Sequence, residues 1–312
     1  MEVDHKRTGL LPAAAVRALG RRSDAAGSLR LTGHLAVWVA AGAVTWSSIG
    51  TWWVLPAMLV QGIVQVALFA GLHECVHRTA FKARLANDLI AAGIGLIHVL
   101  PAGYFRRFHF AHHRDTQDPK RDPELATAKP VTRARYLLYL TAWFYWRDRL
   151  SELARNAAGR VTAAFVPTAE RHRIVVEARW HLGLYLGLAG FSLAFGRAEM
   201  LYLWVLPAVL GQPLLRLYLL AEHTGCALSD DMLANSRTTY ANPLIRFLMW
   251  NMPYHVEHHT YPAVPFHALP RLNRLMAADL QVTASGYGET HRAYWRALAR
   301  GRGRAFTMPA IP

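Results

Sequence analysis

The fold is decided by the stretch TWWVLPAMLVQGIVQVALFAGLHECVH, residues 51–77, in which an uncharged run leads directly into two histidines. Residues 51–72 carry no charged side chain, and about 20 such residues form a helix that crosses the ~30 Å hydrocarbon core of a bilayer. His73 and His77 are four residues apart and therefore share one face of a helix. The stretch predicts a membrane-spanning helix that carries a pair of imidazoles at its end.

Three further apolar runs extend this plan. Residues 35–49 come just before the first run, with a tight turn at Gly50 and Thr51, and residues 180–196 and 200–220 form a second close pair. Each pair has the pattern of a helical hairpin. The sequence therefore predicts four spans, at about 35–50, 51–72, 180–196 and 199–220.

Two weaker segments lie between the hairpins. Residues 89–105 and 136–146 are apolar but short or interrupted, which favours re-entrant or interfacial helices over full spans. The alternative for all these segments is a set of buried core helices in a soluble protein. Two paired, uncharged hairpins disfavour that alternative.

The basic residues predict how the chain is oriented. The sequence has 35 Lys and Arg against 20 Asp and Glu, a net charge of +15 that by itself suggests nucleic acid. Most of the excess lies in residues 1–34, 73–174 and 221–312, so the positive-inside rule places these parts on the cytoplasmic side. We expect a basic cytoplasmic N-terminal segment (1–34), a membrane domain (35–275) and a basic cytoplasmic tail (276–312), with no nucleic-acid partner.

The composition excludes several other classes. A hydrophobic fraction of 53% is too high for a disordered chain. The two cysteines, Cys75 and Cys226, exclude a disulfide scaffold and every CxxC-type metal site. Both are interpreted as small buried hydrophobic residues.

Nine of the sixteen histidines fall into four clusters. The clusters adjoin the ends of the predicted spans or lie in the predicted cytoplasmic loops, and spacings of three and four residues bring imidazoles onto one helix face. The sequence thus predicts an all-α integral membrane protein whose two hairpins carry a cytoplasmic helical cap with a histidine-rich two-metal site. The candidate ligands are His73 and His77 in HECVH, His109, His112 and His113 in HFAHH, His223 in AEHTG, and His255, His258 and His259 in HVEHH.

The number of imidazoles bears on the metal. Nine exceed the four ligands of a tetrahedral zinc and suit two metals of higher coordination number, although zinc, copper, iron and nickel all accept imidazole. A lipid setting favours oxygen chemistry on a hydrocarbon. The remaining seven histidines are interpreted as ordinary polar residues: His5, His34, His98, His172, His181, His267 and His291.

Carboxylates near the clusters are candidates to orient the imidazoles. An acceptor on the outer ring nitrogen fixes the tautomer and raises the basicity of the ligand. The run DPKRDPE at 118–124 could serve in this way or form a solvated turn. The residues that we single out are Glu74, Asp115, Glu222 and Glu257.

The order HECVH, HFAHH, HVEHH, with hairpins before the first and last boxes, resembles the membrane fatty acid desaturase/hydroxylase superfamily. The resemblance covers most of residues 35–275. It implies that all nine histidines bind two iron ions (Fe²⁺/Fe³⁺), that O₂ is a co-substrate, and that no catalytic residue is needed beyond the ligands. Glu222, His223 and Gly225 in AEHTG resemble the extra histidine motif of the alkane hydroxylase branch.

The sequence departs from the motifs of some family members in two respects, and these narrow the choice of subclass and electron donor. His255 opens the last box, where front-end desaturases carry glutamine, and this disfavours that subclass. No HPGG or paired CxxC motif is present, so electrons are expected from a separate protein of the ferredoxin, rubredoxin or cytochrome b5 type. A basic surface with Arg106, Arg107 and Arg114 is the predicted docking site for it.

Several functions remain open on the sequence. The first is O₂-dependent desaturation of a lipid or fatty-acyl-like substrate by a multi-pass membrane enzyme with a cytoplasmic active site. The alternative within the superfamily is a hydroxylase or ketolase of an alkane, a carotenoid or another small lipid-like molecule. Remote alternatives are a metal transporter and a membrane zinc metalloprotease, since HECVH also fits HExxH with Glu74 as the base.

Overall fold

The structure is a computed structural model that describes residues 9–303. The prediction for His5, and the outer parts of both terminal segments, lie outside these residues. The described chain is almost entirely helical. Its α-helices are α1 (Ala13–Leu19), α2 (Asp24–Ser48), α3 (Val54–Ala67), α4 (Phe69–His77), α5 (Arg84–Ile97), α6 (Ala102–Asp115), α7 (Arg133–Leu140), α8 (Trp143–Ala157), α9 (Arg171–Ala194), α10 (Leu206–His223), α11 (Met232–Asn235), α12 (Pro243–Leu248), α13 (His255–Thr260), α14 (Leu269–Met276) and α15 (Tyr287–Ala299).

Shorter elements complete the described part. There are 3-10 turns at Pro123–Ala126 and Thr168–Glu170, and a π-helical turn at Leu201–Val205 leads into α10. Two-residue strands, β1 (Thr238–Thr239) and β2 (Thr283–Ala284), pair in parallel. The all-α prediction is therefore correct except for this pair of strands. The two strands are more than 40 residues apart in the chain, so no local sequence pattern predicts their pairing.

Two continuous helices are long and apolar enough to cross a membrane. They are Val54–His77, which joins α3 and α4, and Leu201–His223. A third candidate is the pair α5 and α6, which is bent by 100° at a short break and forms a broken span or a re-entrant loop. The predicted re-entrant segment at 89–105 covers this bend.

The other two predicted spans coincide with long helices that begin earlier than expected. α2 begins at Asp24 because the Ser23 side chain accepts a hydrogen bond from the amide of Ala26 (3.2 Å). α9 begins at Arg171. The predicted spans began where the charged residues stop, whereas the first turns of both helices contain charged residues. The four-span arrangement stays a prediction.

The two candidate spans cross at a pair of glycines. A Cβ atom on Gly62 would lie 2.2 Å from the carbonyl oxygen of Pro207, and one on Gly211 would lie 2.2 Å from that of Gly62. Gln61 and Gln65 donate side-chain hydrogen bonds across the same contact, to the carbonyls of the π-helical turn (2.6 and 3.1 Å). Backbones in direct contact fix the two spans relative to each other, and with them the histidines at their ends.

The segment at 136–146 is interrupted. Ala142 has a left-handed backbone (φ 56°) and separates α7 from α8. The predicted interfacial segment is thus two short helices with a sharp turn between them.

The remaining helices pack behind the histidines. A hydrophobic core of fully buried side chains lies beneath α4 and α13, with Trp250, Phe266 and Leu272 among its largest members. The stretch after the last histidine box forms α14, whose buried residues join this core. Short α13 is therefore held by packing rather than by its own length.

Candidate metal centre

Four helices deliver the nine clustered histidines to one place. The last turns of α4 and α10 carry the first and third clusters, while α6 and α13 carry the HxxHH boxes. α4 stops at once after His77 because Arg78 adopts a left-handed backbone (φ 60°). The bend at Pro101 turns α6 toward α4. Eight of these histidines are buried and His77 is half-buried.

Five of the histidines form one group. One ring nitrogen from each of them lies within 4.8 Å of the others. The Nε2 atom of His109 is 2.8 Å from Nε2 of His77 and 3.0 Å from Nε2 of His113. The Nε2 atoms of His258 and His113 are 3.1 Å apart. The fifth member is His73, whose ring centroid is 4.3 Å from that of His109.

A second group contains His112, His223 and His259, again within 4.8 Å of one another. His255 adjoins it, because its Nε2 atom is 3.0 Å from Nε2 of His223. The rings of His113 and His259 stack with centroids 4.2 Å apart, which joins the two groups. All nine predicted ligands thus converge, five in one group and four in and beside the other.

The outer nitrogens of the second group have polar partners. Nδ1 of His112 is 2.9 Å from a carboxylate oxygen of Asp122, and Nδ1 of His223 is 3.1 Å from the carbonyl oxygen of Asn235. Nδ1 of His255 lies 3.3 Å from a carboxylate oxygen of Glu222 but makes no hydrogen bond. Nε2 of His223 faces Nε2 of His255, whereas Nε2 of His112 lies 3.4 Å from a carboxylate oxygen of Glu124.

The structure places one of the four predicted orienting carboxylates beside an imidazole of the site. Glu222 contacts His255, but the other three have different partners. Glu74 accepts from the amide of Phe266 (3.0 Å) and stabilises the core behind the site. Glu257 binds the side chains of Thr238 and Asn273, and Asp115 pairs with Arg114 (2.8 Å). None of these three carboxylates is hydrogen-bonded to an imidazole of the site in the described residues.

Sequence reasoning underrated Asp122 and missed Asn235. Asp122 lies in the run DPKRDPE, where it also caps the 3-10 turn by accepting from the amide of Glu124 (2.9 Å). Asn235 acts through its backbone carbonyl, which carries no sequence signal. Thr116 was also missed, and its hydroxyl lies 3.3 Å from Nδ1 of His259.

Several buried imidazole nitrogens lack any hydrogen-bond partner. Among the described residues they include Nδ1 of His73, His113 and His258 and Nε2 of His259. Burial, aided by repulsion from neighbouring imidazoles, lowers the pKa of His255, His258 and His259 well below the ordinary value. Neutral imidazoles with inward lone pairs are what a divalent transition metal requires. The residues present therefore fit a pair of such metals.

The other histidines have ordinary roles in the described part of the chain. Nε2 of His34 is 2.9 Å from the carbonyl oxygen of Val64, and His181 contacts the hydroxyl of Tyr185 (3.1 Å). Neither metal-capable group contains any of the six set-aside histidines that lie in the described part of the chain.

A cavity of about 960 Å³ opens onto the histidines. His73, His109, His112 and His255 form part of its wall. Apolar side chains line it as well, from Phe105, Phe108, Leu219, Met249 and Met252, together with polar ones from Tyr104, Arg149, Glu152 and Arg216. The arrangement can hold a molecule with an apolar part and a polar part against the imidazoles.

The three arginines of the predicted docking surface differ in their partners and exposure. Arg107 pairs with Glu170, and Arg106 lies over the ring of Phe110 with its guanidinium carbon 4.7 Å from the ring centroid. Only Arg114 is largely exposed, with 56% of its side chain accessible. The sequence could not distinguish these three, because the partner of each arginine depends on tertiary contacts.

Comparisons with known proteins agree with this geometry. A family model described as fatty acid desaturase matches residues 50–291, which include all nine clustered histidines. The chain is 28% identical over 265 residues to sphingolipid delta(4)-desaturase DES1 of Drosophila melanogaster, covering 80% of this chain and 73% of the relative. It is 24% identical over 257 residues to dihydrorhizobitoxine desaturase of Bradyrhizobium elkanii, covering 73% and 69%. It is 27% identical over 255 residues to sphingolipid delta(4)-desaturase/C4-monooxygenase DES2 of Rattus norvegicus, covering 78% and 70%.

Proposed function

Because this chain belongs to the fatty acid desaturase family, we propose that its nine clustered histidines hold two iron ions and that it desaturates a lipid-like substrate. It is an oxidoreductase of that family, and desaturation is the activity named for the relatives in fly, bacterium and rat. The observation that carries the iron proposal is the convergence of buried imidazole nitrogens in two adjoining groups.

Each part of the chain has a distinct task in this proposal. The ends of α4 and α10 hold their histidines at one depth, since the glycine crossing fixes these two helices. Asp122, Glu222 and the carbonyl of Asn235 orient the second group. Bound iron would supply the activation of O₂ and the one-electron redox chemistry that an unactivated C–H bond demands.

The cavity selects which bond reacts. Its aromatic and methionine side chains exclude water and hold an alkyl chain, and its polar side chains bind the head of the substrate. Sphingolipid, the substrate named for two of the relatives, combines such a chain with a polar head. We therefore propose a lipid of this general build, with its reacting methylene against the imidazoles.

Hydroxylation is the second candidate. One observation favours it specifically, since the name of the rat relative joins C4-monooxygenase to desaturase activity. The two outcomes share the first hydrogen abstraction and differ in whether a second hydrogen leaves or oxygen is added. The metalloprotease alternative fails, because Glu74 is fully buried and bound to the amide of Phe266 and so is not placed to activate water.

The membrane arrangement is also a proposal. We place α2, α3–α4, α9 and the Leu201–His223 helix across the bilayer, with residues 35–275 as one domain and both termini and the histidines on the cytoplasmic side. Support comes from the basic residues near these ends and the two apolar helices. A separate reduced protein supplies the electrons, and it approaches on the side of Arg114.

The deciding experiment compares lipid extracts by mass spectrometry. Cells expressing the full chain are compared with cells expressing the His258→Ala variant. We expect a lipid that has lost two hydrogens only with the unaltered chain. A lipid that has gained one oxygen would instead establish the hydroxylase, and identical extracts would contradict both.

A further inference from the structure

A second cavity lies away from the histidines, between α5, α6 and α9. Its volume is about 1770 Å³, and Phe165 is the one lining residue that it shares with the histidine cavity. We call it the α9 groove. One end is basic and the other is apolar, so the groove has the polarity of a lipid molecule.

The basic end holds five arginines: Arg78, Arg106, Arg107, Arg114 and Arg173. Three of them pair with carboxylates, Arg78 with Asp88 (2.8 Å), Arg114 with Asp115 (2.8 Å) and Arg107 with Glu170. Within residues 9–303, Arg106 and Arg173 have no ion-pair partner. The positive charges of Arg78, Arg84 and Arg107 act on Arg106, and the negative charge of Asp88 acts in the opposite sense.

The carboxylates of the groove do not neutralise this end. Glu170 is taken up by Arg107. Glu177 accepts from the amides of Gly103 (2.9 Å) and Tyr104 (3.3 Å) at the start of α6. Arg106 and Arg173 therefore line the groove without an ion-pair partner, and an anion would supply one.

The apolar end follows one face of α9. Val176, Trp180, Leu184 and Leu188 lie on it, and Trp180 and Leu184 are 75% and 43% exposed. Gly183 and Gly187 leave open space beside them, since no atom lies within 4 Å of a Cβ placed on either. This channel faces the α5 residues Ala92 and Leu96.

The length of the groove matches one leaflet. From Arg173 to Leu188, α9 rises about 22 Å at 1.5 Å per residue, and one leaflet with its head-group region is about 20–22 Å thick. A head group at Arg173 would thus let an acyl chain follow α9 to the middle of the bilayer.

We propose that the α9 groove binds an anionic phospholipid, with its phosphate at Arg106 and Arg173 and one acyl chain along Gly183 and Gly187. The proposal rests on α9 crossing the membrane as described above, but it does not depend on the metals or on the reaction. Charge complementarity favours a lipid with a net negative head over a zwitterionic one.

Native mass spectrometry of the detergent-purified full chain tests this binding, with dioleoyl phosphatidylglycerol and dioleoyl phosphatidylcholine as probes. We expect phosphatidylglycerol to bind more tightly. The double variant Arg106→Gln, Arg173→Gln should weaken that binding by about tenfold or more, with little effect on phosphatidylcholine. Gly187→Leu should weaken it too, since the new side chain fills the channel while every charge stays.

Matched controls lie on the same helix. Arg171→Gln removes an exposed charge two residues from Arg173, and Gly190→Leu fills open space outside the groove; both should bind like the unaltered chain. Equal affinity for the two lipids, or equal losses in the control variants, would overturn the proposal. So would a double variant that binds lipid normally but loses binding to reduced ferredoxin, which would make the groove a protein docking surface. Iron content is measured in the same samples. Normal iron content with no preference for phosphatidylglycerol would overturn the lipid site alone, whereas protein without iron would count against the proposed function.

Discussion

At the scale of single residues, the imidazoles divide into those that face the centre and those that face elsewhere. His258 belongs to the first kind, since its Nε2 atom meets that of His113 at 3.1 Å. We expect His258→Ala to lower product formation per chain by at least a hundredfold, roughly the upper range for the loss of metal-site support. The exposed His172 provides the control, and His172→Ala should keep full activity. An active His258→Ala variant would exclude this residue from the site.

Asp122 tests the partners of the imidazoles. Its carboxylate raises the basicity of His112 through a 2.9 Å contact, so Asp122→Asn should lower metal affinity by about 10- to 100-fold. The measurement is metal retention during titration with a chelator. Asp230→Asn, at an exposed position, should behave like the unaltered chain. Equal retention in all three proteins would make Asp122 only a cap of the 3-10 turn.

Burial of α13 predicts a pH dependence. The pKa values of His255, His258 and His259 lie below the ordinary 6.5 in the folded chain, so below pH 6.5 the unfolded chain binds protons that the folded chain does not. The contribution of these three imidazoles to the free energy of unfolding should therefore fall as the pH falls below 6.5 and stay level above it. Thermal unfolding of chelator-treated protein at pH 7.5 and pH 5.5 measures this. A midpoint at pH 5.5 equal to or above that at pH 7.5 would contradict it.

The sequence predicted the histidines of the site better than their partners. Spacing on a helix brings imidazoles to one face before any tertiary contact is known. The partners depend on how separate elements meet, as when Asn235 turns a backbone carbonyl toward His223. Glu74 and Glu257 adjoin histidines in sequence, yet both bind groups on the opposite side.

At the scale of elements, the crossing of α3 and α10 decides where two histidine clusters lie. Gly211→Leu would place side-chain atoms against the carbonyl oxygen of Gly62, which already lies 2.2 Å from an added Cβ. Overpacking of a buried contact costs about 1–3 kcal/mol or more. We expect a lower unfolding midpoint and lower iron content in Gly211→Leu.

Gly190→Leu is the matched change for this crossing. Its Cβ would meet nothing within 4 Å, so both quantities should stay as in the unaltered chain. If Gly211→Leu and Gly190→Leu behave alike, the two spans do not need this close contact.

Helix existence was predictable, but helix boundaries were not. Uncharged runs identified the positions of all four long helices. α2 and α9 nevertheless begin earlier, within charged sequence. The start of α2 is set by a local signal, the N-cap at Ser23. No glycine or proline lies at the break between α7 and α8 at Ala142, so the sequence did not predict it.

At the scale of the whole molecule, the proposed topology puts the α2–α3 turn and the histidines on opposite sides of the membrane. Thr51→Cys, in the exposed turn, should react with a membrane-impermeant maleimide in intact cells. Ala128→Cys, exposed beside the histidine cavity, should react only after lysis. Both native cysteines are buried and should contribute little label. Labelling of Ala128→Cys in intact cells would contradict the proposed orientation and place the histidines on the outer side of the membrane.

The assignment of iron concerns the whole chain with its metals. Two groups of buried imidazoles are assigned to iron, so elemental analysis of freshly purified, active protein is the most direct test. We predict about two irons per chain and little zinc, as nine imidazole ligands in two groups suggest. Active protein that contains zinc, or no iron at all, would contradict the assignment of iron to the histidines.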